Sequence, residues 1–377
     1  VVDFLKPEML HVYRQISGQN RVTPWVLTHK RENAAQFPFP DKRLVVLPKP
    51  RLRWWRRLVH RHFIDAPWQI YRWELHTALL TLTRIDARLL HIYFGHMALH
   101  MRPLIRACPR PVVVSYHGAD AGVDTNRPSH LAAMREVFRF AAQIQVRSES
   151  LGNDLIKLGC PEKKIHIQRT GIPLEEWPLT ERVAPGEGEW HLMQSCRLIA
   201  KKGLDTTLKA FAKIKAQYPA AKLTLAGEGP LLEELKQLAE SLHIAEAVDF
   251  PGFMQQEQLR ALVQRSHIFL HPSRTGRDGN REGVPNSMLE AMASGCPVVA
   301  TRHGGIPEAI THEQNGLLID ENDTDAMAGC MERLLADQDL RLQLARNARE
   351  TIEVTFNRDR NIAILEDNYL RLIHANL

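Results

Sequence analysis

Glu282-Gly283-Val284-Pro285-Asn286-Ser287-Met288-Leu289-Glu290-Ala291-Met292-Ala293-Ser294-Gly295-Cys296-Pro297-Val298-Val299-Ala300-Thr301 is the stretch whose reading decides the fold. Pro285 and Asn286 are residues that open helices. Leu289, Met292 and Ala293 then fall on one face, Gly295 suits a left-handed cap, and Val298–Thr301 reads as the next strand. With the apolar run Ile268–His271 ahead of it, the segment spells strand, loop, helix, strand. A helix that opens at the carboxyl end of a strand offers free N–H groups and a positive dipole end to an anion. Glu282 stands at the helix mouth and Glu290 about two turns further on. Each carboxylate can accept hydrogen bonds from neighbouring sugar hydroxyls. The plainer reading makes Glu282 a dipole-satisfying residue and Glu290 an exposed helix residue.

The same alternation runs outward from this segment. Leu90–Phe94, Val112–Tyr116, Ile144–Val146 and Ile165–Gln168 are short apolar runs in the first half. His191–Ser195, Lys222–Ala226, Val248–Phe250, Ile268–His271 and Val298–Thr301 follow in the second. Amphipathic stretches separate them, which predicts an α/β protein with parallel sheets covered by helices. A chain of 377 residues suits two such domains. Pro178–Glu189, with Pro185, Gly186 and Gly188 among charged residues, reads as the linker. The expected division is residues 1–180, 181–355 and a C-terminal helix over 356–377. That helix carries Ile362, Leu365, Tyr369 and Leu372 on one face and is free by its pattern to cross back to the first domain.

No apolar stretch approaches the roughly 18–20 residues of a spanning helix. The five cysteines are widely spaced without a CxxC, as in reduced cytoplasmic proteins. Val1 leaves room for a missing N-terminal piece, so secretion is disfavoured rather than excluded. Residues 1–180 hold 27 basic and 15 acidic side chains, against 22 and 28 in the remainder. A basic half beside an acidic half points to an anionic surface, or to no more than uneven solvation.

Three further groups carry chemistry. Arg197 and Lys202 follow the run His191–Ser195, where two cations could neutralise a departing diphosphate; ordinary loop cations are the alternative. His117 ends Ser115-Tyr116-His117-Gly118-Ala119-Asp120 at a strand terminus, as an acid/base, a hydrogen-bonder or a structural residue. Asp323-Thr324-Asp325 matches a metal-binding Asp-x-Asp, but it opens the helical run Ala326–Leu335, and a helix cap explains it better.

Together these segments resemble the family 4 glycosyltransferases. The resemblance rests on Glu282 to Glu290 with Gly304-Gly305-Ile306-Pro307-Glu308, Ser195-Cys196-Arg197-Leu198 with Lys202-Gly203, Ala226-Gly227-Glu228-Gly229-Pro230, Pro251-Gly252-Phe253 and Asn315-Gly316-Leu317-Leu318. It covers the second half closely. In the first half it is looser, through Tyr93-Phe94-Gly95, His117-Gly118-Ala119-Asp120, Arg147-Ser148-Glu149 and Thr170-Gly171-Ile172. The loop Asp278 to Pro285 resembles bacterial exopolysaccharide transferases of the colanic-acid and amylovoran type. The opening segment departs from the family pattern, and Glu8 is taken as its acidic counterpart.

The resemblance implies two facing Rossmann-like domains, the GT-B fold, and hexosyl transfer with retention, without metal or resident cofactor. The donor would be a nucleotide-diphosphate sugar, with a UDP-sugar favoured, and the acceptor a glycan or lipid-linked glycan. Glu290 would hold the donor ribose and Glu282 the hydroxyls of its sugar. Arg197 and Lys202 would bind the diphosphate, assisted by the backbone of Gly283, Val284, Pro285, Asn286 and Ser287. Gly252 and Phe253 would lie by the base, and His117 would reach the sugar near the breaking bond. A nucleotide-sugar epimerase or hydrolase on the same fold is the rival reading. A polyanion binder is a further one, but no nucleic-acid module supports it.

Residues 51–64 mix five arginines with Trp54, Trp55 and Phe63. Tryptophan favours the water–lipid interface and arginine anionic headgroups, which predicts peripheral attachment at the inner face of the cell membrane. The alternative buries both tryptophans in the first domain.

Overall fold

The computed structural model describes residues 3–4, 9–48, 53–118, 120, 122, 125–186, 189–276, 279 and 281–376. Glu8, Ala119, Gly188, Asp278 and Asn280, which the sequence reading uses, lie outside them. So do Arg51 and Leu52, and the side chains of Arg53, Arg56, Arg57, Arg61 and His62. Contacts divide the chain into one unit that runs to Gly171 and resumes at Arg358, and a second from Ile172 to Asn357.

In the first unit the apolar runs form parallel strands. Asp3–Phe4 (β1) pairs with Lys30–Arg31 (β3), and Val26–Thr28 (β2) with Leu44–Val46 (β4). Leu90–Tyr93 (β5), Val112–Tyr116 (β6), Gln143–Val146 (β7) and Ile165–Ile167 (β8) make a four-stranded sheet in that order. Its core gathers Ile92, Val112, Val114, Ile144 and Val146 under the helices Pro128–Phe140 and Glu149–Lys157. The C-terminal helix, Arg358–His374, belongs to this unit and packs Leu365 and Tyr369 on Val113 of β6. A cavity of about 440 Å³ also lies within the unit, lined by Val26, Ala78, Leu82, Ile92, Met101 and Ile373 among others.

The helix Arg53–His62 does not bury its tryptophans. Trp54 is 66% and Trp55 53% exposed, and Phe63 beyond it 83%. The alternative of burial in the first domain therefore fails. Among the described residues no helix is long and apolar enough to cross a membrane.

The second unit carries His191–Ser195 (β9), Lys222–Ala226 (β10), Val248–Asp249 (β11), Ile268–His271 (β12), Val298–Thr301 (β13) and Leu317–Ile319 (β14). They form one parallel sheet in the order β11-β10-β9-β12-β13-β14. β12 and β13 are buried along their whole length, as strands covered on both faces require. Sequence order reverses between β9 and β12, so the loops after these two strands flank the switch point, where doubly wound sheets take their ligands.

The stretch read as a linker is held to the second unit. Trp177, directly before the stretch, lies fully buried in that unit's core. The Arg182 guanidinium, also buried, donates to the carbonyls of Ser266 at 2.7 Å, Val263 at 3.1 Å and Thr180 at 2.6 Å. A charged, glycine-bearing stretch looks free in sequence. Here an arginine that donates to three backbone carbonyls fastens it down.

Candidate functional site

The loop after β9 is shaped by its own buried polar groups. Gln194, fully buried, donates to the Lys202 carbonyl at 2.8 Å and accepts from Thr207 Oγ1 at 2.6 Å. Arg274, in the loop after β12, ties the two loops together: its Nε donates to the Ala200 carbonyl at 2.9 Å, and its guanidinium pairs with Asp205. The Lys201 and Lys202 ammonium groups are thereby aimed at the loop after β12. Lys202 Nζ lies 2.6 Å from Glu282 Oε1 and Lys201 Nζ 3.6 Å, with all three side chains largely buried. Burial alone would raise the Glu282 pKa. Lys202, His271 and Lys201 outweigh it and hold the carboxyl down to about 2. His271, fully buried beside this pair, is pushed down to about 3 by burial first and then by Lys202.

The helix Asn286–Ala293 opens here, with Pro285 as its N-cap, a residue whose side chain makes no capping hydrogen bond. Ser287 Oγ donates to the Ser195 carbonyl at 2.9 Å, which fixes the helix start to the end of β9. Gly295 has φ +76°, the left-handed conformation expected of it. Glu290 is buried, at 6% exposure, and so is not the exposed helix residue of the plainer reading. Gly283, Val284, Asn286 and Ser287 are half-buried and Pro285 buried, while Arg197 is exposed.

Gly252 and Phe253 follow β11. The Gly252 carbonyl accepts from Gly227 N–H at 2.8 Å, and Phe253 leaves 57% of its surface exposed. Gly227 itself, at φ +139°, passes so close to Cys196 that a Cβ would stand 1.9 Å from its carbonyl oxygen. The glycine-rich segment after β10 is thus a close-approach device next to Arg197.

The structure therefore brings Arg197, Lys202, Glu282, Gly283 to Ser287 and Glu290 to the switch point of one sheet. Sequence reading missed Lys201, His271, His303 and Glu321. His303 accepts from the Glu282 N–H at 3.0 Å and contacts Glu321 at 2.6 Å. Its signal was its place directly before Gly304-Gly305. Asp323 caps its helix by accepting from Ala326 N–H at 2.8 Å, and Asp325 pairs with Lys213, so helix capping is what the Asp-x-Asp string does.

In the first unit, four separated motifs converge at the carboxyl ends of β5 to β8. Asp120 accepts from His117 N–H at 2.8 Å and Gly95 N–H at 2.7 Å. His117 lies 3.0 Å from Ser115 Oγ and 3.3 Å from His11, a contact invisible in sequence. Arg147 Nη1 donates to Thr170 Oγ1. Burial, then Arg147 and the neighbouring histidines, push the His117 pKa well down. Burial also lowers Arg147, to about 10, against the pull of Asp120. Phe94, whose ring centroid lies 4.4 Å from that of His117, holds φ +75°, a strained value for a bulky residue.

These two units define a doubly wound α/β class whose ligands meet the sheet at its switch point. The model for "Glycosyl transferases group 1" matches residues 177–351, and that for "Glycosyltransferase Family 4" matches residues 18–176. The amylovoran biosynthesis glycosyltransferase AmsK of Erwinia amylovora is 33% identical over 273 residues, 72% of this chain and 67% of that protein. The putative colanic acid biosynthesis glycosyltransferase WcaL of Escherichia coli strain K12 is 32% identical over 250 residues, which cover 65% of this chain and 61% of WcaL. The match thus spans less than two thirds of the colanic acid relative. The structure of Anabaena Alr3699/HepE in complex with UDP superposes with a TM-score of 0.74 at 18% identity, covering 97% of this chain and 98% of that one. That likeness shows the GT-B-type fold. The chain belongs to the family 4 glycosyltransferases.

Proposed function

We propose that this protein transfers a hexose-type sugar from a nucleotide-diphosphate sugar to a glycan or lipid-linked acceptor, in the synthesis of an exopolysaccharide or other cell-surface glycan, with retention at the anomeric carbon. The observation that carries the reading is the convergence of Lys202, Lys201, Glu282 and a helix start whose N-cap, Pro285, makes no side-chain cap, at the switch point of the second sheet. Cleavage of the anomeric C–O bond leaves positive charge on the sugar and negative charge on the diphosphate. The acceptor oxygen bonds to the sugar carbon, and its proton leaves with the diphosphate. Lysine, arginine and helix N–H groups can stabilise the departing anion, so no metal is required. Glu282 accepts from donor-sugar hydroxyls, and buried Glu290 from the ribose. Exposed Phe253 offers a face to the base. His117, lowered in pKa and hydrogen-bonded to Ser115, acts as a hydrogen-bonding group and not as a proton carrier.

Turnover across UDP- and GDP-sugars, with and without chelator, tests the reading. Acceptor-dependent product with its anomeric configuration kept is expected. Isomerised sugar from donor alone would support the epimerase instead, and strict dependence on added Mg²⁺ or Mn²⁺ would end the metal-free account.

Attachment to an anionic membrane surface belongs to the same proposal. Its support is the exposed pair Trp54 and Trp55 on an arginine-rich helix. Co-sedimentation with anionic vesicles should fall in the double variant Trp54→Ala, Trp55→Ala and at high salt. Equal, negligible pelleting of both proteins would remove the membrane claim.

A further inference from the structure

We propose that His303 is a positioning residue for Glu282, and that the chain His303–Glu321–Thr275 places this carboxylate independently of the lysines that face it. The inference rests on the reading of Glu282 as the carboxylate that holds the donor sugar.

Glu282 lies outside helix and strand, just before the helix Asn286–Ala293, so no ladder fixes its backbone. Its main chain is held from one side by three consecutive residues after β13. Glu282 N–H donates to His303 Nε2 at 3.0 Å. Gly305 N–H donates to the Glu282 carbonyl at 3.2 Å. Gly304, at φ +56°, lies so close that a Cβ would come 2.1 Å from that carbonyl oxygen. Only glycine permits this approach.

The hydrogen bonds also decide the tautomer. A backbone N–H can only donate, so Nε2 presents its lone pair and the ring proton sits on Nδ1. Nδ1–H then donates to Glu321 Oε1 at 2.6 Å. Glu321 is fixed in turn, because Oε2 accepts from Thr275 N–H at 2.9 Å and Oε1 from Thr275 Oγ1 at 3.2 Å. The His303 side chain is fully buried, so water does not compete for either nitrogen. None of these partners is a group assigned to the diphosphate. When Lys202 and Lys201 turn to the phosphates, Glu282 keeps its place.

Two measurements test this. The ¹⁵N spectrum of the histidine rings, assigned by His303→Gln, should show His303 protonated at Nδ1 and bare at Nε2; the opposite tautomer overturns the proposal. Calorimetry with UDP, UDP-glucose, GDP and GDP-mannose then compares sugar nucleotide with bare nucleotide. In His303→Ala the preference for the sugar nucleotide should fall about tenfold while nucleotide affinity holds, the worth of one well-placed hydrogen bond to a charged group. His303→Gln, whose side-chain oxygen can still accept from Glu282 N–H, should recover part of it. A loss in Glu282→Ala without a loss in His303→Ala would overturn the positioning role. No loss in Glu282→Ala would instead overturn the sugar-binding reading, leaving the ring spectrum to decide the anchor.

Discussion

The two units solve the burial of charge in opposite ways. In the second, a buried carboxylate is matched by two ammonium groups, and Glu282 stays ionised to about pH 2. In the first, the half-buried cluster is mostly basic. His11 and His117 are pushed well below their ordinary pKa, and Asp120 turns both oxygens to backbone N–H groups. An ion pair at a helix mouth can exchange partners with an anion that arrives and leaves. A cluster of uncharged imidazoles offers directional hydrogen bonds without attracting charge. The cores differ likewise: among the described residues six strands join one sheet in the second unit, whereas eight strands fall into three sheets in the first, which also holds a cavity of about 440 Å³.

The sharpest way to break this comparison is Lys202→Ala. If the ammonium stabilises the leaving diphosphate, kcat should fall by two to three orders of magnitude, on the order of 2–4 kcal/mol, with near-native circular dichroism. Unchanged kcat would reduce the Lys202–Glu282 pair to a structural contact. Glu290→Ala should come next. Loss of its hydrogen bonds to ribose should weaken nucleotide affinity by about 1.5–3 kcal/mol in calorimetry. An unaltered dissociation constant would remove the ribose assignment.

Acid titration probes the ion pair itself. The Glu282 pKa is depressed in the folded state, so its contribution to stability is complete above the ordinary carboxyl value, 4.5, and is lost as pH falls towards about 2. Melting temperatures of wild type and Glu282→Gln, taken between pH 6 and pH 2, should converge as the pH drops. Parallel curves would contradict the coupling. The smallest effect belongs to the cavity. Ala78→Leu, at a buried position on its wall, should raise stability by about 0.5–2 kcal/mol, read as a higher urea midpoint. A lower midpoint would mean that the wall cannot accept added volume.

Legibility differs between the units for a related reason. β9, β10, β12 and β13 fall on the residues expected, because each is a short stretch with a buried, largely apolar centre. The helix start at Asn286 and the left-handed Gly295 were equally plain. β1 to β4, only two or three residues each, carry no such pattern. Lys202 and Glu282 were each visible as candidates, but their pairing across 80 positions was not. His303 stood unremarked beside a quoted motif, since a single histidine has no periodic signal.

Sequence by itself determined the α/β class, the two-domain organisation, the helix at Asn286 and the family. These follow from local periodicity, capping chemistry and motif order, all of which are short-range. Only the tertiary structure decided that Glu290 is buried, that Trp54 and Trp55 are exposed, that Arg182 fastens the supposed linker, and that His11 meets His117. It alone set the tautomer of His303. Such properties depend on which residues distant in the chain share a desolvated space, and desolvation is set by the folded whole, not by neighbours in sequence.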